Sequence, residues 1–331
     1  MRNISLFLLM SLLLAFPLKA GTRAVAGDMD GNGILNISDV TLLISYVLND
    51  GSGIPSADVN QDGAVNISDV TQLIEMVLND TGGTPTNETF TVNGVSFTMV
   101  YVEGGTFQMG ATGDLAIDAF SNEYPIHDVT LSSFYMGETE VTQALWTAVM
   151  GSNPSYFQAA NGFAEIPERP VECVNWADCH IFISKLNELT GREFRLPTEA
   201  EWEFAARGGN LSQGYLYSGS NNVNDVAWWQ ANAGYRLGTE HPDFGAHAVA
   251  TKMPNELGLY DMSGNVFEWC IDWYADYTSE PQTNPTGPAT GNYRVFRGGY
   301  WSNLALKCRV SFRHNYFPSY RKEILGVRLA M

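Results

Sequence analysis

A 24-residue pattern occurs twice near the N-terminus and dictates what that part of the chain can become. "GDMDGNGILNISDVTLLISYVLND" runs from Gly27 to Asp50, and "ADVNQDGAVNISDVTQLIEMVLND" from Ala57 to Asp80, an offset of 30 residues from Asp28 to Asp58. Oxygen-bearing side chains fall at positions 1, 3, 5, 9 and 12 of each loop: Asp28, Asp30, Asn32, Asn36 and Asp39, then Asp58, Asn60, Asp62, Asn66 and Asp69. Gly33 and Gly63 stand at position 6, where such a loop must turn sharply, and the carbonyls of Ile34 and Ala64 follow. Calcium takes six to eight oxygen ligands, and this spacing wraps carboxylates and amides around one point.

After each loop, Val40, Leu43, Ile44 and Val47, and Val70, Leu73, Ile74 and Val77, recur at helical spacing. Position 12 is Asp rather than the bidentate Glu of an EF-hand, so the loop is a variant. The pair, from Gly27 to Asp80, resembles a dockerin type I module. That resemblance implies two calcium-ordered helices that dock onto a cohesin domain. It places partner choice at Ile37, Ser38, Ile67 and Ser68, which match between the copies.

Before the repeat, Arg2 and the apolar run Ile4–Leu18 precede small-residue cleavage sites at Ala20 and Ala26. This reads as an export signal over residues 1–26, too short for a membrane span. An exported, secreted or surface-attached protein with no membrane span in its mature chain follows. The formal net charge of -18 repels phosphate backbones, so nucleic acid is not an expected partner. Four cysteines, Cys173, Cys179, Cys270 and Cys308, enter an oxidising compartment, and three pairings are open. Residues 81–89, rich in Gly, Pro, Thr and Asn, read as a linker.

From residue 90 the texture becomes α+β. Residues 89–110 alternate as hairpin strands do. "TEVTQALWTAVMG", "NWADCHIFISKLNELTG" and "TEAEWEFAARGG" read as helices, the second stopped by Gly191 and the third opened by a Thr198–Glu201 capping box. "FRLPTEAEWEFAARGG", "PNELGLYDMSGNVFEWCIDWY", "RVFRGGYWSN" and "GVRLAM" resemble the formylglycine-generating enzyme (sulfatase-modifying factor) family, from about Val95 to Met331. The resemblance implies a C-type-lectin-like fold with a small twisted sheet, two main helices and bound calcium. It assigns one calcium site to the side chains of Asp261 and Glu268 and the carbonyls of Gly264 and Val266. A second would involve Asn232 and a stretch near Asp243.

The family's enzyme holds copper(I) between two cysteines and oxidises a sulfatase cysteine to formylglycine. Here Cys308 matches the second cysteine, while Asn303 occupies the place of the first. A neutral amide is a poor partner for soft Cu(I), so the resemblance breaks at the chemistry itself. Cys270 is the candidate either to supply a second sulfur or to bond to Cys308. Relatives that use iron need a histidine cluster, and His127, His180, His241, His247 and His314 do not form that motif. Two further readings stay open beside a non-standard domain: a copper oxidase with a rearranged site, and a receptor that displays a protein or glycan ligand in a surface or polysaccharide-degrading assembly. Some family members are receptors diversified in this C-terminal segment, which places the ligand surface at Tyr300, Leu304 and Tyr316. Trp301 and Phe312 are expected in the core.

Overall fold

The computed structural model describes residues 26–29, 37–48, 55–60, 62–79, 86–113 and 117–331. The export signal apart from Ala26, the ligand positions Asp30, Asn32, Ile34 and Asn36, Gly33, and residues 80–85 lie outside the described residues. The chain divides into two compact units, one to residue 85 and one from residue 86.

The first unit pairs two helices, α1 (Ile37–Leu48) and α2 (Ile67–Asn79). Val40 and Leu43 of α1 and Val70 and Leu73 of α2 are buried together with Ala57 and Val59. The buried stripe is narrower than the sequence spacing suggests. Ile44 and Ile74 stay 39% and 38% exposed, and Ile67 is 68% exposed at the first residue of its helix.

The second unit begins with β1 (Glu88–Val92), which starts inside the stretch read as linker. Asn93 and Gly94, both at positive φ, turn it into β2 (Val95–Val102), with Val92 opposite Val95. An Asn-Gly pair matches the twist of a two-residue hairpin, which requires φ above zero at both positions. There follow β3 (Gly105–Met109), β4 (His127–Leu131) and β5 (Phe134–Gly137). Then come α3 (Gln143–Met150), α4 (Trp176–Thr190), α5 (Glu199–Ala206) and the short α6 (Val223–Val226). The chain closes with β6 (Phe267–Trp273), β7 (Gln282–Thr283), β8 (Arg294–Arg297), β9 (Arg313–Tyr316) and β10 (Leu325–Gly326).

These strands form three small sheets rather than one: β1-β2-β5, β3-β4-β7 and β10-β6-β8-β9. The helix ends fall where the caps dictate. Thr142, Asn175 and Thr198 accept from the backbone N–H three residues on, and Gly151 and Gly191 end α3 and α4 in the left-handed region. α3 and α4 meet through stacked Trp146 and Phe182, 4.7 Å apart.

α5 is buried along its whole length although it carries three glutamates. Each glutamate has an arginine: Glu201 takes Arg195, Glu203 takes Arg207 and Arg297, and Glu199 takes Arg313. α5 packs on β3, β4, β6 and β8 and so ties two sheets together. β6 and β8 run antiparallel, with Glu268 opposite Arg297 at one end and Trp273 opposite Arg294 at the other.

Candidate functional site

Beyond Arg297 the chain turns through Gly298 and Gly299, both at positive φ. A Cβ on Gly299 would lie 2.6 Å from the Lys307 carbonyl and 2.9 Å from Cys308 Sγ. Only glycine lets the backbone pass this close to the cysteine. Cys308 is fully buried among Val223, Ala227, Tyr217, Trp229 and Ala305. Ser263 Oγ donates to its carbonyl at 2.7 Å, and its own Sγ reaches only the Leu304 carbonyl, at 3.9 Å. Burial pushes the thiol up to about 12, so at neutral pH it is a protonated thiol and neither nucleophile nor ready ligand.

Asn303 is 5% exposed and gives its backbone N–H to Tyr300. Its Oδ1 is buried without a hydrogen-bond partner. All four cysteines are free thiols, so the Cys270–Cys308 bridge considered from the sequence is not formed. Cys270 packs in the core with residues of α5, in a different cluster from Cys308, and Cys179 lies on the buried face of α4. Cys173 is held at positive φ and pushed up to about 12 by burial and Glu172. The donor set around Cys308 is therefore one protonated thiol and one amide oxygen, which does not fit copper(I).

The aromatic segment sorts into two groups. Trp301 and Phe312 are each 4% exposed and belong to the core, as expected. Tyr300 is half-buried against Phe267, 5.1 Å between ring centres, so it supports the surface more than it forms it. Leu304 and Tyr316 are 49% and 41% exposed. Phe317, part of the same aromatic segment, is exposed as well, and the sequence reading missed one exposed neighbour, Tyr293, whose ring lies 4.7 Å from that of Phe317 beside the Tyr316–Tyr320 pair at 4.2 Å.

The large domain also holds a buried acidic centre. Asp261 sits at φ +58, and its Oδ2 accepts from the Ala250 N–H at 2.7 Å. Its Oδ1 is buried with no partner. Burial, helped by Glu268, raises its pKa to about 6. Glu140, which the sequence reading did not single out, is 1% exposed, accepts from Asn265 and the Val266 N–H, and is raised by burial and by Asp261. The carboxylate of Glu268 is already engaged by Arg328 and by Trp202 Nε1. Three carboxylates thus share one guanidinium, and a hard cation at the unmatched Asp261 oxygen fits that charge. Asn232 spends both ends of its amide on its own loop, at Trp229 and Ala227, although Gly234 lies against the Asp243 backbone. Among the described residues, no three His, Cys, Asp or Glu side chains gather closely enough to hold a metal ion.

In the first unit, the second loop turns its oxygens inward. Asp58 accepts from the N–H groups of Asp62 and Gly63, Asn60 from Asp62, and Asp62 from Ala64. Asp69, fully buried, draws the two loop ends together by accepting from Val59, Asn60 and Asn66. Its counterpart Asp39 accepts from Met29. Ser38 and Ser68 are exposed; the side chain of Ile37 lies outside the described residues.

Comparison with known proteins agrees with this geometry. Residues 85–331 match the sulfatase-modifying factor enzyme 1-like domain, and residues 26–78 match the dockerin type I domain. A chaperone protein LppX of Paenibacillus barcinonensis is 36% identical over 259 residues, covering 66% of this chain and 83% of that protein. The formylglycine-generating enzyme of Streptomyces coelicolor is 29% identical over 290 residues, covering 70% and 88%. The solved structure of Treponema denticola variable protein 1 superposes with a TM-score of 0.64 at 37% identity, covering 75% of this chain and 99% of that one. The chain belongs to the sulfatase-modifying factor family, in its C-type-lectin-like fold, and carries a dockerin type I domain at its N-terminal end.

Proposed function

We propose that this protein is an exported ligand-binding member of its family, tethered by its dockerin module, and not a copper-dependent formylglycine generator. The observation that carries this reading is the pairing of a buried, protonated Cys308 with Asn303 where the oxidase needs a second thiolate. No step through copper is written for it. The exposed cluster of Tyr316, Phe317 and Tyr293 supplies rigid aromatic contact area on a fixed scaffold, as recognition surfaces do, and Leu304 is exposed on the loop beside Cys308. Its ligand is a protein or a glycan.

Dockerin modules as a class bind calcium and cohesin domains and mark extracellular assemblies. For this chain, Asp28, Asp30, Asn32, Asn36 and Asp39, and Asp58, Asn60, Asp62, Asn66 and Asp69, would hold calcium. The exposed Ile67 and Ser68, with Ile37 and Ser38, would meet a cohesin-like partner. In the large domain, Asp261, with the carbonyls of Gly264 and Val266 and the charge of Glu268, would hold a further calcium and anchor its loop. No helix among the described residues is long and apolar enough to cross a membrane, which suits attachment through the module.

The test is an oxygen-consuming assay with copper(I) and a sulfatase-type cysteine peptide, on the protein and its Asn303→Cys variant. No formylglycine from the protein itself is expected, with copper binding gained in N303C. Turnover by the unaltered protein would contradict the reading.

A further inference from the structure

Eight of the second unit's eleven arginines form ion pairs with a carboxylate. Arg294 does not. Its guanidinium lies between two indole rings, 3.8 Å from the centre of Trp176 and 3.5 Å from that of Trp273. Nη1 donates to the Ile271 carbonyl, Nε is buried without a partner, and Nη2 makes no hydrogen bond among the described residues. A guanidinium keeps its charge at any physiological pH, so this is a fixed cation with no ion-paired carboxylate among the described residues. The acid whose charge bears on it is Asp272, itself raised to about 7 by burial and Glu199 and thus partly neutral at physiological pH.

The same arginine lines a cavity of about 560 Å³, within the range of sites for small organic ligands. The cavity lies at the Arg294–Trp273 end of the β6–β8 pair, away from the end that leads to Gly299 and Cys308. Leu131, Ile271, Pro288 and Ala289 give it an apolar wall. Arg195 and Glu201 lie on the opposite side of the charge balance, already paired bidentately at 2.6 and 2.7 Å. Arg195 therefore offers no second cationic site, and Glu201 repels excess negative charge. A monoanion with an apolar body satisfies both constraints, and a dianion does not.

We propose that this cavity binds a small organic monocarboxylate, its carboxylate on Arg294 and its apolar part against Ile271, Pro288 and Ala289. The site is independent of the Cys308 region, and its failure would leave the proposed function intact. The test uses the full chain with benzoate and hexanoate as probes, and benzyl alcohol and inorganic phosphate as controls. Binding is read by tryptophan fluorescence, since Trp176 and Trp273 flank the arginine, and by ligand-observed NMR. At least one monocarboxylate is expected to saturate, with phosphate and benzyl alcohol at least tenfold weaker. Arg294→Gln should weaken binding at least tenfold. Ala289→Trp fills the cavity from an exposed loop without touching Arg294 and should abolish binding in a folded protein. The proposal is overturned by no saturation with either carboxylate up to about 50 mM, far weaker than the 1 mM that corresponds to about 4 kcal/mol. It is equally overturned by binding unchanged in R294Q, by binding that survives A289W, or by phosphate binding as well as the carboxylates.

Discussion

The two units treat their acidic residues in opposite ways. No lysine or arginine occurs between Arg23 and Arg169, so the whole dockerin module is without a cationic side chain. Its carboxylates turn onto backbone N–H groups and leave their negative charge for an outside cation. The large domain instead buries Glu123, Glu199, Glu203 and Glu268 and meets each with an arginine from a distant part of the chain. A module built the first way is expected to depend on calcium for its order, as dockerin domains generally bind that ion. A domain built the second way is held by its own ion pairs, and its carboxylates are left raised where the matching fails, as at Glu140, Asp261 and Asp272.

Breaking a matched pair should have the largest effect. Arg328→Met leaves three buried carboxylates without their guanidinium and should cost the large domain about 3–5 kcal/mol in denaturant unfolding. Calcium added to a chelated sample should restore part of that loss, because the cation and Arg328 answer the same charge. Removing calcium from the unaltered chain should act on the other unit. In a thermal scan the dockerin transition should lose about 5 kcal/mol, about 2.7 for each of its two loops, relative to calcium at a hundred times its dissociation constant, while the large domain shifts less.

Asp272 sharpens the contrast from within the large domain, since it is buried without an arginine. Its folded pKa of about 7 stands above the ordinary carboxylate value, so the folded state binds the proton more tightly. Its contribution to stability is fully present below about pH 4 and is lost as pH rises through about 7. Asp272→Asn, which can still accept from the Glu199 N–H, should therefore stabilise the protein at pH 8 by about 2 kcal/mol and change little at pH 4. The smallest stability effect belongs to Ile67→Asp. This exposed side chain should change unfolding by under about 0.5 kcal/mol, yet abolish capture by any cohesin domain that binds the unaltered chain.

How much of this was readable beforehand depends on whether the signal is local. The boundaries of α3, α4 and α5 follow from Thr142, Asn175, Thr198, Gly151 and Gly191, each acting within one turn. Asn303 in the place of a cysteine is visible through the family resemblance, which sets the first cysteine five positions before Cys308. The burial of Glu140 and its coupling to Asp261 join residues more than a hundred positions apart, and no pattern in either segment announces it. Arg294 between Trp176 and Trp273 is likewise assembled from separate elements. Ile44 and Ile74 mark the reverse case: helical spacing is right, but two paired helices bury a narrower stripe than the apolar residues offer.

The most direct test of the central claim is copper(I) stoichiometry by native mass spectrometry, combined with alkylation mapping of the folded protein. The account expects no bound copper, a Cys308 that is unreactive until the protein unfolds, and one copper gained by N303C. A copper ion bound to the unaltered chain with two sulfurs, one of them Cys308, would contradict it and return the domain to the oxidases.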